Sequence, residues 1–221
     1  MTDPRKDDML YRIEILHECG VDPFSREIFV SGESESTEAE GPEPGVEFLM
    51  ASRFIKNLRH LTTLDNTKPI LIHLKTCGGY WEEGMAMYDA IHACPCYVCA
   101  LSYTHARSMS SIIIQAADQR VLMPNSYFMY HLGWLSIAGS HQEVVSFVDW
   151  EKRTKETMKI IYAEKMHEKG IFKGKSLRGI KEFLQEQMNK KAEVYLTAKQ
   201  AVELGLADEI FKGDWEGLVK E

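Results

Sequence analysis

Two short segments, residues 69–75 (PILIHLK) and 96–103 (CYVCALSY), are apolar on both of their alternating faces, and each leads through a turn into a helical pattern. A strand that is apolar on both faces must be covered on both. That is the signature of parallel strands joined by helical crossovers, not of hairpins with one wet face. Strand patterns at 26–30, 120–123 and 126–131 and helical patterns at 46–64, 81–93 and 108–117 extend the alternation. An α/β chain with a largely parallel sheet covered on both faces is the expected architecture. Beyond residue 141 the pattern changes. Residues 142–167 and 176–190 form two long helical patterns that carry more charge than a buried layer, which predicts helices that project from the core and pack on another subunit. Residues 193–196, 198–204 and 208–211 close the chain as strand, helix and strand, with Gly205 as the helix C-cap because glycine reaches φ > 0 without steric cost.

Composition narrows the function. With 221 residues, 44% of them apolar, the chain can build a substantial core without disulfides. A net charge of −7 gives no general attraction to nucleic acid or to anionic membranes. The basic residues between Lys152 and Lys191 alternate with Glu and apolar residues, as solvated helix faces do. The start, MTDPRKDDMLYRIEIL, has no apolar stretch after a basic opening, and the apolar runs fall far short of the roughly 20 residues a membrane helix needs. A cytoplasmic setting is therefore expected. Cys94, Cys96 and Cys99 stand close together without a second cluster at zinc-site spacing, so they read as packed core thiols, with no metal expected. Residues 31–45 (SGESESTEAEGPEPG) carry too little apolar area to pack and are expected to form an exposed, mobile loop.

Three places carry chemistry. In His105-Ala-Arg-Ser108-Met-Ser-Ser a serine leaves an apolar strand and enters an apolar helix, where free backbone N–H groups favour developing negative charge. Serine is also a favoured N-cap residue, so by itself the position is equally a cap. In Tyr127-Phe-Met-Tyr-His131 a histidine ends an apolar, aromatic strand. Taken alone it is a core or capping histidine. Beside Ser108 it becomes the base that a weak hydroxyl nucleophile needs. Parallel neighbouring strands bring both residues to one carboxyl edge, where open α/β sheets bind ligands. Gly78-Gly79, following the 69–75 strand, lets backbone N–H groups approach a carbonyl closely. The amides of Gly78 and Met109 then form a two-donor oxyanion site.

In order and spacing these features resemble the proteolytic subunit of the Clp protease, from Arg26 to about Ile210. The resemblance rests on the Gly-Gly turn with Gly84-Met-Ala-Met-Tyr-Asp89, then Ala106-Arg-Ser108-Met109, Leu122-Met-Pro-Asn-Ser126, Met129-Tyr-His131, and the closing Leu196-Thr-Ala-Lys-Gln-Ala-Val-Glu-Leu-Gly-Leu-Ala-Asp-Glu-Ile210. It implies a crotonase/Clp-peptidase-like spiral of ββα units with a protruding helical handle at about 134–192, in a single domain over 24–221 that follows an N-terminal, pore-lining segment at 1–23. It implies Ser108 as nucleophile, His131 as base, and Gly78 and Met109 as oxyanion donors. Counted back from Leu196 past Tyr195, it implies Glu193 as the third member, where the family has Asp. Substrate contacts map to Gly79, Arg107, Gly133, Trp134 and Leu135, with residues 133–139 (GWLSIAG) as the strand that pairs with an extended peptide. The resemblance further implies a homo-heptamer or stacked double ring joined through the 142–167 helix, a separate AAA+ unfoldase, peptide or unfolded-protein substrates, and no cofactor.

The departures are local. Arg107 replaces a small residue beside the nucleophile and is expected to narrow the substrate pocket, to add a cation for acidic groups, or to point into solvent. The family's Ser-Pro before the glycines is Thr76-Cys77 here, and its Gln-Pro after the histidine is Leu132-Gly133. Two alternatives belong beside the peptidase: a non-peptidase acyl-CoA enzyme of the same fold, and a scaffold or virus-maturation relative of the Clp peptidase.

Overall fold

The computed structural model describes residues 4–31 and 43–219. The chain opens with helix α1 (Pro4–Cys19), which sequence reading did not anticipate, and strand β1 (Val21–Asp22). Then come β2 (Glu27–Ser31), α2 (Phe48–Leu64), β3 (Ile70–Lys75), α3 (Trp81–His92) and β4 (Val98–Ser102). After β5 (His105–Arg107) and the short α4 (Met109–Ile113) follow β6 (Gln119–Leu122), β7 (Tyr127–His131), α5 (His141–Glu168) and α6 (Leu177–Lys190). The chain closes with β8 (Glu193–Thr197), α7 (Ala198–Leu204), β9 (Glu209–Ile210) and a 3₁₀ turn at Glu216–Val219. Most of the acidic segment 31–45 lies outside the described residues.

The strands form two sheets. The larger runs β1-β2-β3-β4-β6-β9 and is parallel except for the β1–β2 pair. The smaller runs β5-β7-β8, parallel between β5 and β7 and antiparallel between β7 and β8. Twice, consecutive strands are shared between the sheets. β4 lies in the large one and β5 in the small one, then β6 in the large and β7 in the small. Each pair feeds a helix, α4 or α5, and the repetition is a spiral of ββα units.

Alternation along the large sheet decides what covers it. Ile70, Ile72 and Leu74 of β3 and Val98 and Ala100 of β4 face the main core, where Phe54, Leu58 and Leu61 of α2, Met87 and Ile91 of α3 and Ile112 and Ile113 of α4 are also buried. The intervening Leu71, Cys99, Leu101 and Val121 face a second, smaller cluster closed by Leu218 of the C-terminal turn. Both faces of the sheet are covered, as expected, but by unequal layers. One face carries the helix layer, and a single 3₁₀ turn with a rim of Tyr97, Tyr103 and Phe211 closes the other.

The long helices also differ from expectation. Met158, Ile161, Tyr162, Ala163 and Met166 in the C-terminal half of α5 are core residues, and α6 joins them through Ile180, Leu184 and Met188. Only the first half of α5 projects. Charge counted over the whole helix masked the apolar stripe in its second half. A buried ion pair ties the chain's end to the sheet. Asp208 receives two hydrogen bonds from the Arg120 side chain at 2.8 and 2.9 Å and one from the Arg120 backbone N–H, while Arg120 also reaches the Gln115 side chain and the Gly205 carbonyl.

Candidate functional site

The site is built at the carboxyl ends of β5 and β7. Register pairs Arg107 with Met129, and the Ser108 N–H continues the ladder to the Met129 carbonyl at 3.0 Å. Ser108 then takes φ 51° and ψ −128°, a conformation that non-glycine residues rarely adopt. This strained corner turns the chain from strand into α4. Its surroundings hold it there. Ser110 Oγ donates to the Thr76 carbonyl at the end of β3 at 2.6 Å, and Ser111 Oγ lies 2.6 Å from both the Ser108 carbonyl and the hydroxyl of buried Tyr162.

Two amides lie beside the corner. Met109 is the first residue of α4, so its N–H has no acceptor within the helix. Gly78, at φ +94°, packs so closely that a Cβ there would stand 2.7 Å from Met109 N and 2.8 Å from Ser108 Cβ. The turn is fixed from behind. Val46 N–H donates to the Gly78 carbonyl at 2.6 Å, and Tyr80 N–H donates to the Val46 carbonyl at 2.9 Å. Glycine at 79 is likewise required, because a side chain there would overlap the Val46 backbone.

His131 ends β7, with Nε2 2.8 Å from Ser108 Oγ. Burial pushes its pKa below the ordinary imidazole value. The nearby Glu193 carboxylate opposes that shift, and the Arg107 guanidinium adds to it. Across the antiparallel pair, Glu193 of β8 lies directly opposite His131, and its Oε1 is 4.0 Å from Nδ1. Tyr195, two residues on, donates its hydroxyl to Glu193 Oε2 at 2.6 Å.

A cleft of about 530 Å³ opens from Ser108 and His131. Gly79, Gly133 and Trp134 line it, together with Trp81, Ile112, Phe147, Trp150, Met158 and Tyr162. Leu135 and Arg107 are not among its lining residues. The Arg107 Nε–H turns instead to the Cys77 carbonyl at 3.3 Å, tying β5 to the glycine turn. Residues 132–138 form no strand, and Trp134 is 87% exposed. Among the described residues, no neighbouring strand offers them a ladder. Sequence reading missed Ser110, Ser111 and Tyr162, which hold the corner, and the aromatic lining from α5. A hydroxyl that bonds a distant carbonyl leaves no local pattern; the apolar spacing of Met158, Ile161 and Tyr162 is the one signal that could have marked α5 as buried there. Among the described residues, no three His, Cys, Asp or Glu side chains cluster as a metal site, and burial pushes the Cys99 thiol up to about 12, which keeps it protonated.

A strained serine at a strand-to-helix corner, hydrogen-bonded to a histidine beside two backbone amides, is the arrangement of a serine hydrolase. Here it is set in the crotonase-like α/β fold. The comparison with protein families makes the assignment specific: the Clp protease family profile matches residues 43–214, and the chain belongs to that family of serine peptidases. It is 29% identical over 173 residues, 76% of this chain and 81% of the relative, to the ATP-dependent Clp protease proteolytic subunit of Streptococcus sanguinis (strain SK36). It is 28% identical to the ATP-dependent Clp protease proteolytic subunit 2 of Treponema denticola, over 74% of this chain and 76% of the relative. The subunit 2 of Prochlorococcus marinus subsp. pastoris is 26% identical, over 73% and 75%.

Proposed function

We propose that this chain is an endopeptidase that cleaves unfolded polypeptides or peptides through an acyl-enzyme, with Ser108, His131 and Glu193 as its triad. The observation that carries the reading is the 2.8 Å contact between Ser108 Oγ and His131 Nε2, beside the Gly78 and Met109 amides. His131 Nε2 takes the hydroxyl proton as Oγ attacks the scissile carbonyl. The oxyanion rests on the N–H groups of Gly78 and Met109. His131 returns the proton to the leaving amine, the C–N bond breaks, and the acyl group stays on Ser108. Water, deprotonated by His131, then releases the acid and restores the serine. Glu193 steadies the imidazolium. An acyl-CoA enzyme of this fold would need the paired amides but not the serine–histidine contact, and that contact favours the peptidase.

The substrate lies in the α5-lined cleft as an extended segment and pairs with residues 133–139, which become a strand on binding. Gly79, Gly133, Trp134 and Leu135 contact it, while Arg107 supports the glycine turn. The relatives' description as ATP-dependent extends to this chain as a partner. By likeness to those relatives, an AAA+ unfoldase supplies the ATPase. The chain acts in the cytoplasm as a seven-membered ring, doubled by stacking through the projecting half of α5. Reaction with a fluorophosphonate, site mapping by mass spectrometry and sizing of the native particle test this. Modification at Ser108 in a ring-sized particle is expected. An unmodified Ser108 in the folded protein would overturn the peptidase reading.

A further inference from the structure

We propose that Tyr195 is a positioning residue for this reaction, acting through Glu193; the inference rests on the reading of Glu193 as the carboxylate behind His131. Three observations place it. First, the β7–β8 register sets Glu193 opposite His131 and Tyr195 opposite Met129, and period-two alternation puts Glu193, Tyr195 and His131 on one face of the small sheet. Second, the two carboxylate oxygens are divided between partners. Oε2 accepts the Tyr195 hydroxyl at 2.6 Å, and Oε1 faces His131 Nδ1 at 4.0 Å. Third, the phenol is itself held. The Tyr195 ring packs 5.5 Å from Tyr127, whose ring lies 5.3 Å from His105, so an aromatic row crosses from β8 to β5.

The chemical need arises from the residue at 193. A glutamate has one more rotatable bond than an aspartate, and this side chain is 45% exposed. Left to itself, its carboxylate would sample solvent and face the imidazole only part of the time. Among the described residues, Tyr195 is the only hydrogen-bond donor to it. The phenol removes that freedom at one oxygen and leaves the other free for the Nδ1 proton. Tyr195 touches neither the nucleophile nor the substrate cleft.

The test is the phosphonylation of Ser108 by a fluorophosphonate probe, resolved into a limiting rate and a half-saturating concentration, in Tyr195→Phe, Glu193→Ala and the double variant. Phenylalanine keeps the ring packing and removes only the hydroxyl. The expected result is a limiting rate about 10-fold lower in Tyr195→Phe at unchanged half-saturation, the scale of one charge-assisted hydrogen bond. In the Glu193→Ala background the same change should have no further effect, with melting temperature and particle size unaltered throughout. A parental rate in Tyr195→Phe beside a slowed Glu193→Ala would overturn the role of Tyr195 alone. Equal losses in both backgrounds would also overturn it, because the hydroxyl would then act independently of the carboxylate. A parental rate in Glu193→Ala would overturn both this inference and the triad reading beneath it.

Discussion

At Ser108 the backbone has given up a relaxed conformation to point a hydroxyl at an imidazole. The φ of 51° is tolerated because Ser110, Ser111 and the Met129 carbonyl fix the chain on either side. Ser108→Ala should abolish peptide cleavage and leave particle size unchanged, as read by a fluorogenic peptide assay beside sizing. Burial and Arg107 both lower the pKa of His131, against the pull of Glu193. Its neutral, proton-accepting form therefore persists below the ordinary imidazole value. The acid limb of kcat/KM should fall below about pH 6.5. Arg107→Met removes a cation that disfavours the imidazolium, so its acid limb should move to higher pH. A limb that stays in place would show that Arg107 does not act on His131. Ser108 and His131 were legible in the sequence because each sits at the end of an apolar run with a motif around it.

Elements decide how those residues meet. The β5–β7 ladder brings Ser108 to the end of β7, and the β7–β8 ladder sets Glu193 opposite His131. Glu193→Ala should lower turnover by orders of magnitude, as loss of a triad carboxylate does. Steady-state kinetics would reveal a barely changed kcat if another group orients the imidazole. The turn after β3 approaches α4 without room for a side chain. In Gly78→Ala a methyl group would meet Met109 N and Ser108 Cβ at a positive φ. About 100-fold loss of kcat should follow, the cost of one oxyanion donor. Position 193 was reachable from the sequence only by counting back from Leu196, because one carboxylate on an edge strand resembles any other. The division of strands between two sheets was not legible in the pattern itself, since β5 is three residues long and its paired residues are 22 positions further on.

Over the whole molecule, the Arg120–Asp208 pair joins the C-terminal segment to β6, next to the edge of the large sheet. Burial alone would raise the Asp208 carboxyl, but hydrogen bonds and charge from Arg120, with Lys169 adding to them, hold it down to about 2. The ionised form is thus favoured in the folded state. The pair's contribution is complete above the unfolded carboxyl pKa, near 4, and disappears as pH falls through about 2. Asp208→Ala strands a buried guanidinium and should cost about 3–5 kcal/mol, measured by urea denaturation at neutral pH. A cost below about 1 kcal/mol would mean that the pair adds little beyond a surface bridge.

Local order was already written in the chain. Apolar periodicity placed most helices and strands within a residue or two, and Gly205 marked the end of α7, because these depend on neighbours three or four positions apart. The motifs around Ser108 and His131 singled out two side chains that the structure brings together, for the same reason. Contact between distant segments was left to the fold. Only the assembled chain shows Tyr162 beneath Ser111, α5 as a wall of the cleft, Tyr195 on Glu193 and one turn closing a whole sheet face. A packing partner dozens of residues away leaves no period to read, and which of many equivalent side chains it meets is decided by the register and crossing of elements that exist only once the chain has collapsed.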